Sequence, residues 1–186
     1  MKAFLLQENY EIFLATKECF TIRAKFPENS PNKGLVADFV MARKELGYIP
    51  GTRTPIVEIG TIEDDVFRRD FCCNALYKNE RGEIIDLTGQ GRFDIEFKRL
   101  SCPLDCDVTF KDDPLRVFRA IRFAITKNFK ISWVTELCIK NNEFDFSVVS
   151  IERVQQELQK CFEFDTLKTL QYLEQYPKLK EYAFKD

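Results

Sequence analysis

Asp112-Asp113-Pro114-Leu115-Arg116-Val117-Phe118-Arg119-Ala120-Ile121-Arg122-Phe123 marks the point where the chain changes its period. A capping carboxylate followed by Pro inside the first turn predicts a helix start. Leu115, Phe118, Ile121, Phe123 and Ile125 give that helix an apolar face. Arg116, Arg119 and Arg122 step by three, about 60° apart on an α-helix, so they share one wedge of about 120°. From Pro114 to Val134 there are five Lys or Arg and no acid, in a chain whose formal net charge is -2.

Beyond this stretch the pattern stays helical, with helices expected over Ser132–Asn141, Ser150–Phe162 and Thr166–Tyr182. Before it the chain reads as strands and turns. Phe20–Phe26 alternates faces, Pro27–Asn32 is turn-rich, and further strands are expected at Leu35–Ala42 and Ile56–Ile59. Gly47–Pro55 carries loop punctuation, with Tyr48 and Arg53 as exposed-looking side chains. Thr61 can cap a helix whose first turn holds Glu63, Asp64 and Asp65, and Leu76–Leu87 reads as a hairpin around Asn79-Glu80-Arg81-Gly82. The break between strands and helices falls near residues 101–111. The fold class is therefore α+β: a sheet-bearing head with flanking helices over 1–104, then a helical neck over 105–186.

Composition narrows the chemistry. The 186 residues can bury a real core, and 18 Phe, 6 Tyr and 1 Trp exclude a disordered tail. No run approaches 18 apolar residues, so no membrane span is expected. His is absent, which removes Ser-His and Cys-His nucleophiles, a His base and any imidazole-bound zinc. The seven Cys are odd in number and form no CxxC pair, so they read as reduced, mostly buried thiols of an intracellular protein, cytoplasmic by expectation.

Four clusters carry possible chemistry. Asp113 and Arg116 place an acceptor beside a planar donor fork, a pair able to read the edge of a nucleobase, while Arg119 and Arg122 would meet phosphate. Arg68-Arg69-Asp70-Phe71-Cys72-Cys73-Asn74 offers two forks, a carboxylate and an amide, suited to phosphate and ribose. Asp86-Leu87-Thr88-Gly89-Gln90-Gly91-Arg92-Phe93-Asp94 and Glu152-Arg153-Val154-Gln155-Gln156-Glu157 follow the ordinary patterns of a turn and an amphipathic helix. Taken singly, each cluster fits an internally paired charged surface or an ordinary structural pattern better than it fits a site.

Taken in order they resemble a family. Arg-Arg-Asp-Phe-x-x-Asn-Ala, then Asp-x-x-Gly-x-x-x-x-Asp, then Pro-Leu-Arg-x-x-Arg-x-x-Arg-Phe after an acidic pair, then Glu-Arg-x-x-x-Glu is similar to motifs B, C, D and E of the class II nucleotidyltransferases. That family holds the CCA-adding tRNA nucleotidyltransferases and the related poly(A) polymerases. The likeness runs from about Cys19 to Phe162, and Pro103-Leu104, Phe110 and Asp112–Val117 match the CCA-adding branch in text. The resemblance implies an incomplete palm sheet joined to a helical neck, acting on CTP, ATP and the 3′ end of an RNA, in particular tRNA. It implies that Arg69 and Asp70 bind ribose and triphosphate with support from Asn74. Asp113 and Arg116 would template the incoming base, Arg119 and Arg122 would hold the triphosphate, and Arg153 and Glu157 would brace the neck. Asp112 stands where the family commonly has Glu, and Cys72-Cys73 replaces a more usual Thr-Ile.

The metal-binding part of the pattern is thinner. Such phosphoryl transfer uses Mg²⁺ held by clustered carboxylates. Asp38 resembles the third of these, but the expected Gly-turn and Asp-x-Asp upstream of it are not found in the 37 residues before it. The sole Asp-x-Asp, Asp105-Cys106-Asp107, has no Gly turn before it and reads as a solvated turn. The sequence thus reads as a nucleotidyltransferase shortened at both ends, rich in nucleotide recognition and catalytically incomplete alone. An exposed strand edge and a second chain supplying the absent carboxylates are the corresponding expectations. A degenerate nucleotide- or RNA-binding module and a poly(A) polymerase-type fragment are the alternatives.

Overall fold

The computed structural model describes residues 1–49, 55–141 and 143–184. Its contacts divide the chain into two compact units, Met1–Asp65 and Val66–Asp186.

In the first unit, α1 (Lys2–Gln7) precedes a three-stranded antiparallel sheet of β1 (Glu11–Thr16), β2 (Thr21–Lys25) and β3 (Val36–Val40), in that order. Alternation in β2 sends Ile22 and Ala24 to the buried face, where they meet Leu5 of α1 with Tyr10, Ile12 and Phe39 packed around them. The opposite face carries the cross-strand pair Arg23↔Asp38. As the order of the sheet requires, β1 and β3 are its edge strands.

β4 (Arg43–Tyr48) pairs with β5 (Pro55–Ile59) as an antiparallel hairpin. The sequence reading assigned no strand to 43–48 and began a loop at Gly47. Arg43-Lys44-Glu45 has low strand propensity, and cross-strand pairing such as Lys44↔Glu58 overrides it. Arg53 and the centre of that loop lie outside the described residues.

α2 (Ile62–Phe67) runs across the boundary and starts as expected. The Thr61 hydroxyl accepts from the Asp64 amide at 3.2 Å, and the Asp64 carboxylate accepts from the Thr61 amide at 2.8 Å. This is a capping box with Asp in place of the usual Glu.

The second unit begins with a short 3-10 turn at Cys72–Asn74 and the expected hairpin, β6 (Tyr77–Lys78) against β7 (Ile84–Ile85). Gly82 takes a positive φ of 81° there, which a side chain would disfavour. α3 (Gly91–Glu96), β8 (Arg99–Leu100), α4 (Cys106–Asp112) and α5 (Leu115–Thr126) follow. Then come β9 (Lys130–Ile131, parallel to β8), α6 (Trp133–Asn141), α7 (Ile151–Phe164), α8 (Thr166–Glu174) and α9 (Pro177–Ala183).

α5 is the centre of the core. Leu115, Val117, Phe118, Ala120, Ile121, Ala124 and Ile125 are all buried, against Val154, Leu158 and Cys161 of α7 and Leu173 of α8. Two readings need correction. Asp105-Cys106-Asp107 is a helix start rather than a turn: the Asp105 carboxylate accepts from the Asp107 amide at 2.8 Å and caps α4. The single helix expected over Thr166–Tyr182 is two, because Pro177 cannot donate to the preceding turn and instead opens α9. The compact division at 65/66 precedes the change of period near 101–111.

All seven Cys are free thiols, and Cys72, Cys138 and Cys161 are buried. Burial pushes the Cys161 thiol up to about 11 and the Cys73 thiol up to about 12, which disfavours the thiolate at both.

Candidate functional site

The expected site residues between 69 and 157 fall in the second unit, and three of its elements bring most of them together. Asp70 is the hub. One carboxylate oxygen accepts from its neighbour's amide, Phe71, at 2.9 Å and from Asn74 Nδ2 at 3.1 Å. The other accepts from Arg119 Nε at 2.8 Å and Nη2 at 2.5 Å. A carboxylate this buried needs all of its lone pairs engaged, and the segment 70–74 with α5 engages them. Arg69 extends the same rim, donating to the Asn74 carbonyl at 2.9 Å and to the Tyr77 hydroxyl at 3.1 Å, with its guanidinium 5.1 Å from the Tyr77 ring centre.

Arg116 closes the rim from the other side. Its Nη1 donates to the Thr109 carbonyl of α4 at 3.0 Å, and its Nη2 donates to the Arg68 carbonyl at 2.6 Å. Asp113 sits between α4 and α5 in extended conformation, and its carboxylate accepts from the Leu115 amide at 3.3 Å. Asp113 and Arg116, the pair expected to template the base, thus stand where two helices meet the 68–74 segment.

The three arginines of the stripe each meet a different protein partner. Arg116 is held by main-chain carbonyls and Arg119 by Asp70, while Arg122 donates to Glu157 of α7. Lys160 adds a second cation to Glu157 at 3.1 Å. Partly desolvated guanidinium groups require partners, and neighbouring elements supply a different one for each. Burial alone would raise the Glu157 carboxyl, but Arg122 and Lys160 outweigh it and hold it below its ordinary value. Glu157 thereby ties α7 to α5. Arg153, on the same helix, lies on the exposed side.

The sequence reading gave Asp94 and Arg99 no role. Asp94 is fully buried, accepting from Arg99 Nε at 2.6 Å, the Ser101 amide at 3.1 Å and the Ser101 hydroxyl at 2.5 Å. It ties α3 to β8. Asp94 closed the second quoted motif, so the signal was present, but its partner Arg99 sits in a two-residue strand with no period to announce it. Asp86, at the start of that motif, accepts from the Thr88 hydroxyl at 2.7 Å and the Arg92 amide at 2.9 Å. Burial opposes its charge, yet these donors keep its carboxyl below the usual value.

Asp38 lies in the first unit. Both of its oxygens take Arg23, at 2.7 Å and 2.8 Å, and that hydrogen-bonded guanidinium holds its carboxyl below the ordinary range. Among the described residues no group of three or more His, Cys, Asp or Glu is placed to hold a metal ion. The described residues therefore do not by themselves fit a resident Mg²⁺.

The mixed fold, with an arginine-bearing helix locked to an Arg-Asp segment, is of the α+β class that the resemblance implies. The family model described as the poly A polymerase head domain matches residues 1–101, and the chain belongs to that family. It is 44% identical over 112 residues to the mitochondrial CCA tRNA nucleotidyltransferase of Saccharomyces cerevisiae, covering 59% of this chain and 20% of that protein. It is 39% identical over 127 residues to a tRNA nucleotidyltransferase of Schizosaccharomyces pombe, covering 66% of this chain and 26% of that one. Its fold is similar to the Bacillus stearothermophilus CCA-adding enzyme in complex with CTP, with a TM-score of 0.75 at 22% identity, over 93% of this chain and 44% of that one. A tRNA nucleotidyltransferase solved with a primer tRNA and an incoming ATP analogue aligns with a TM-score of 0.71 at 26% identity, over 99% of this chain and 50% of that one. The chain thus spans about a fifth to a quarter of these curated relatives. No helix among the described residues is long and apolar enough to cross a membrane.

Proposed function

We propose that this chain recognises CTP or ATP for addition to the 3′ end of a tRNA, and that it supplies the recognition without the metal-dependent chemistry. One observation carries the reading: motifs almost fifty residues apart close on each other, Arg116 on the Arg68 carbonyl and Arg119 on Asp70. On the rim they form, Asp113 accepts from the exocyclic amine of cytosine or adenine. A guanidinium has about five N–H donors. Arg116 spends two on carbonyls and keeps the others for the base. Arg69 and Asn74 serve ribose and triphosphate. Arg119 acts by positioning Asp70, and Arg122 with Glu157 acts as a strut that keeps the neck (105–186) against its own core. Asp112 supports the turn between α4 and α5.

Asp38 would join a metal site if an Asp-x-Asp, for instance one from a second chain, displaced Arg23 from it. The bidentate Arg23–Asp38 pair favours the second reading, a nucleotide- or RNA-binding module without catalysis. The relatives' names favour a CCA over a poly(A) product. The test mixes this chain with a chain carrying the Gly-turn Asp-x-Asp segment, tRNA lacking its 3′ terminus, CTP, ATP and Mg²⁺. Nucleotide addition that Asp38→Ala abolishes supports the split enzyme. CTP binding without any addition supports the module, and absence of both CTP and ATP binding refutes both readings.

A further inference from the structure

The Arg-x-x-Arg-x-x-Arg-Phe stretch ends in Phe123, whose apolar character alone gives it no task in nucleotide recognition. Unlike the fully buried Phe118 and Ile121 of the same helix, it is only partly buried and packs at the margin of the core. Two of the three arginines stand over its ring. The Arg122 guanidinium carbon is 4.4 Å from the ring centre, and that of Arg119 is 5.8 Å from it. Both distances lie within the reach, about 6 Å, of a cation–π attraction. The buried Phe71 ring meets Phe123 close to a right angle, with 83° between planes and 5.8 Å between centres. That is the edge-to-face arrangement aromatic pairs favour.

These contacts close a circuit around Asp70. The Phe71 amide and the Arg119 guanidinium both donate to the Asp70 carboxylate, and Phe123 lies against the side chains of both donors. The negative face of an aromatic ring attracts a guanidinium without accepting its N–H groups, so Arg119 keeps donors for Asp70 and Arg122 keeps donors for Glu157. An aliphatic side chain of similar size would fill the space and exert no such pull. Arg119 is one-third exposed, where a long side chain has rotamers to lose, and the ring narrows that choice. We infer that Phe123 is a positioning residue for nucleotide recognition: it orients Arg119, and through Arg119 the Asp70 carboxylate and the Asn74 amide bound to it. This role rests on the reading of that rim as a CTP or ATP site. When the hold of the ring is loosened, Asp70 and Asn74 spend part of their time in orientations that do not bind, and apparent affinity falls by the fraction lost.

The experiment replaces Phe123 site-specifically by phenylalanines carrying one, two and three ring fluorines, which scarcely change its shape but drain charge from its face. Each full chain is titrated with CTP by calorimetry. Affinity should fall stepwise along the series, by about 2- to 30-fold at three fluorines, the span of a cation–π contact between exposed and desolvated sites. Phe123→Leu should fall at least as far, whereas Phe123→Tyr, which keeps the ring face, should bind CTP as the unsubstituted chain does. In an Arg119→Ala background the fluorine series should flatten, because the cation through which the ring acts is gone. CTP affinity that ignores fluorination, or Phe123→Leu binding as well as the natural side chain, marks a packing residue only and overturns the inference. So does a fluorine series of equal slope with and without Arg119. Absence of CTP binding by the unsubstituted chain is a separate outcome: it refutes the nucleotide reading itself, and this role with it.

Discussion

Asp70 offers the sharpest stability prediction. Its carboxylate is 8% exposed and accepts four hydrogen bonds, two of them from the Arg119 guanidinium. Hydrogen bonds to charged groups contribute about 1.5–3 kcal/mol each, and removing one partner of a buried ion pair costs about 3–5 kcal/mol. The Arg119 side chain is one-third exposed and regains water when Asp70 is lost, so the cost falls to about 2–4 kcal/mol. Asp70→Ala should therefore lower the urea midpoint with little change in slope. Arg119→Ala should cost less, about 1–2 kcal/mol, because it leaves Asn74 and the Phe71 amide on the carboxylate. The double variant should be milder than the sum by about 1–2 kcal/mol, the coupling of the pair. A loss under about 0.5 kcal/mol for Asp70→Ala, or strict additivity of the two changes, would show that the hub does not hold the 68–74 segment to α5.

Three further outcomes follow from the packing of the second unit. Glu157 has a folded-state carboxyl held below its ordinary value of 4.5, so the stability from Arg122 and Lys160 is complete above that pH and is lost as pH falls through the depressed value; Glu157→Gln should flatten this acid limb in urea melts taken between pH 3 and pH 6. Gly91→Ala would bring a methyl group to 2.6 Å from the Cys72 carbonyl oxygen, a main-chain atom that cannot swing away, and should cost on the order of 1–3 kcal/mol, read as a drop of several degrees in Tm. Phe118→Ala empties a fully buried position between α5, the Phe146 ring at 5.5 Å and Tyr182, and should cost about 3–5 kcal/mol in the same assay.

Much of the fold could be read from the chain because its signals are local. The capping box at Thr61, the alternation of β2, the Gly82 turn and the Asp113-Pro114 helix start each depend on residues within one turn of one another. What escaped reading depends on distant pairing. β4 exists because β5 lies beside it, and Arg43-Lys44-Glu45 alone would not form a strand. α4 was hidden because Asp105-Cys106-Asp107 looks the same whether it caps a helix or turns in solvent. The site shows the same split. Spacing placed Arg116, Arg119 and Arg122 on one wedge, but only the packed structure reveals that each answers to a different protein partner, Asp70 in the case of Arg119. Asp94 and Arg99 meet across a change from helix to strand, where neither period applies.

The central claim is that Asp113 and Arg116 stand in for a complementary base, and calorimetric titration of the full chain with CTP, ATP and UTP tests it most directly. CTP and ATP each present an amine to Asp113, whereas UTP presents a carbonyl oxygen that the carboxylate repels. Binding of CTP and ATP in preference to UTP is predicted, with a loss of about 10- to 150-fold for Arg116→Ala and a blurred preference for Asp113→Asn. Equal affinity for all three nucleotides, or CTP binding that Arg116→Ala leaves unchanged, would contradict it.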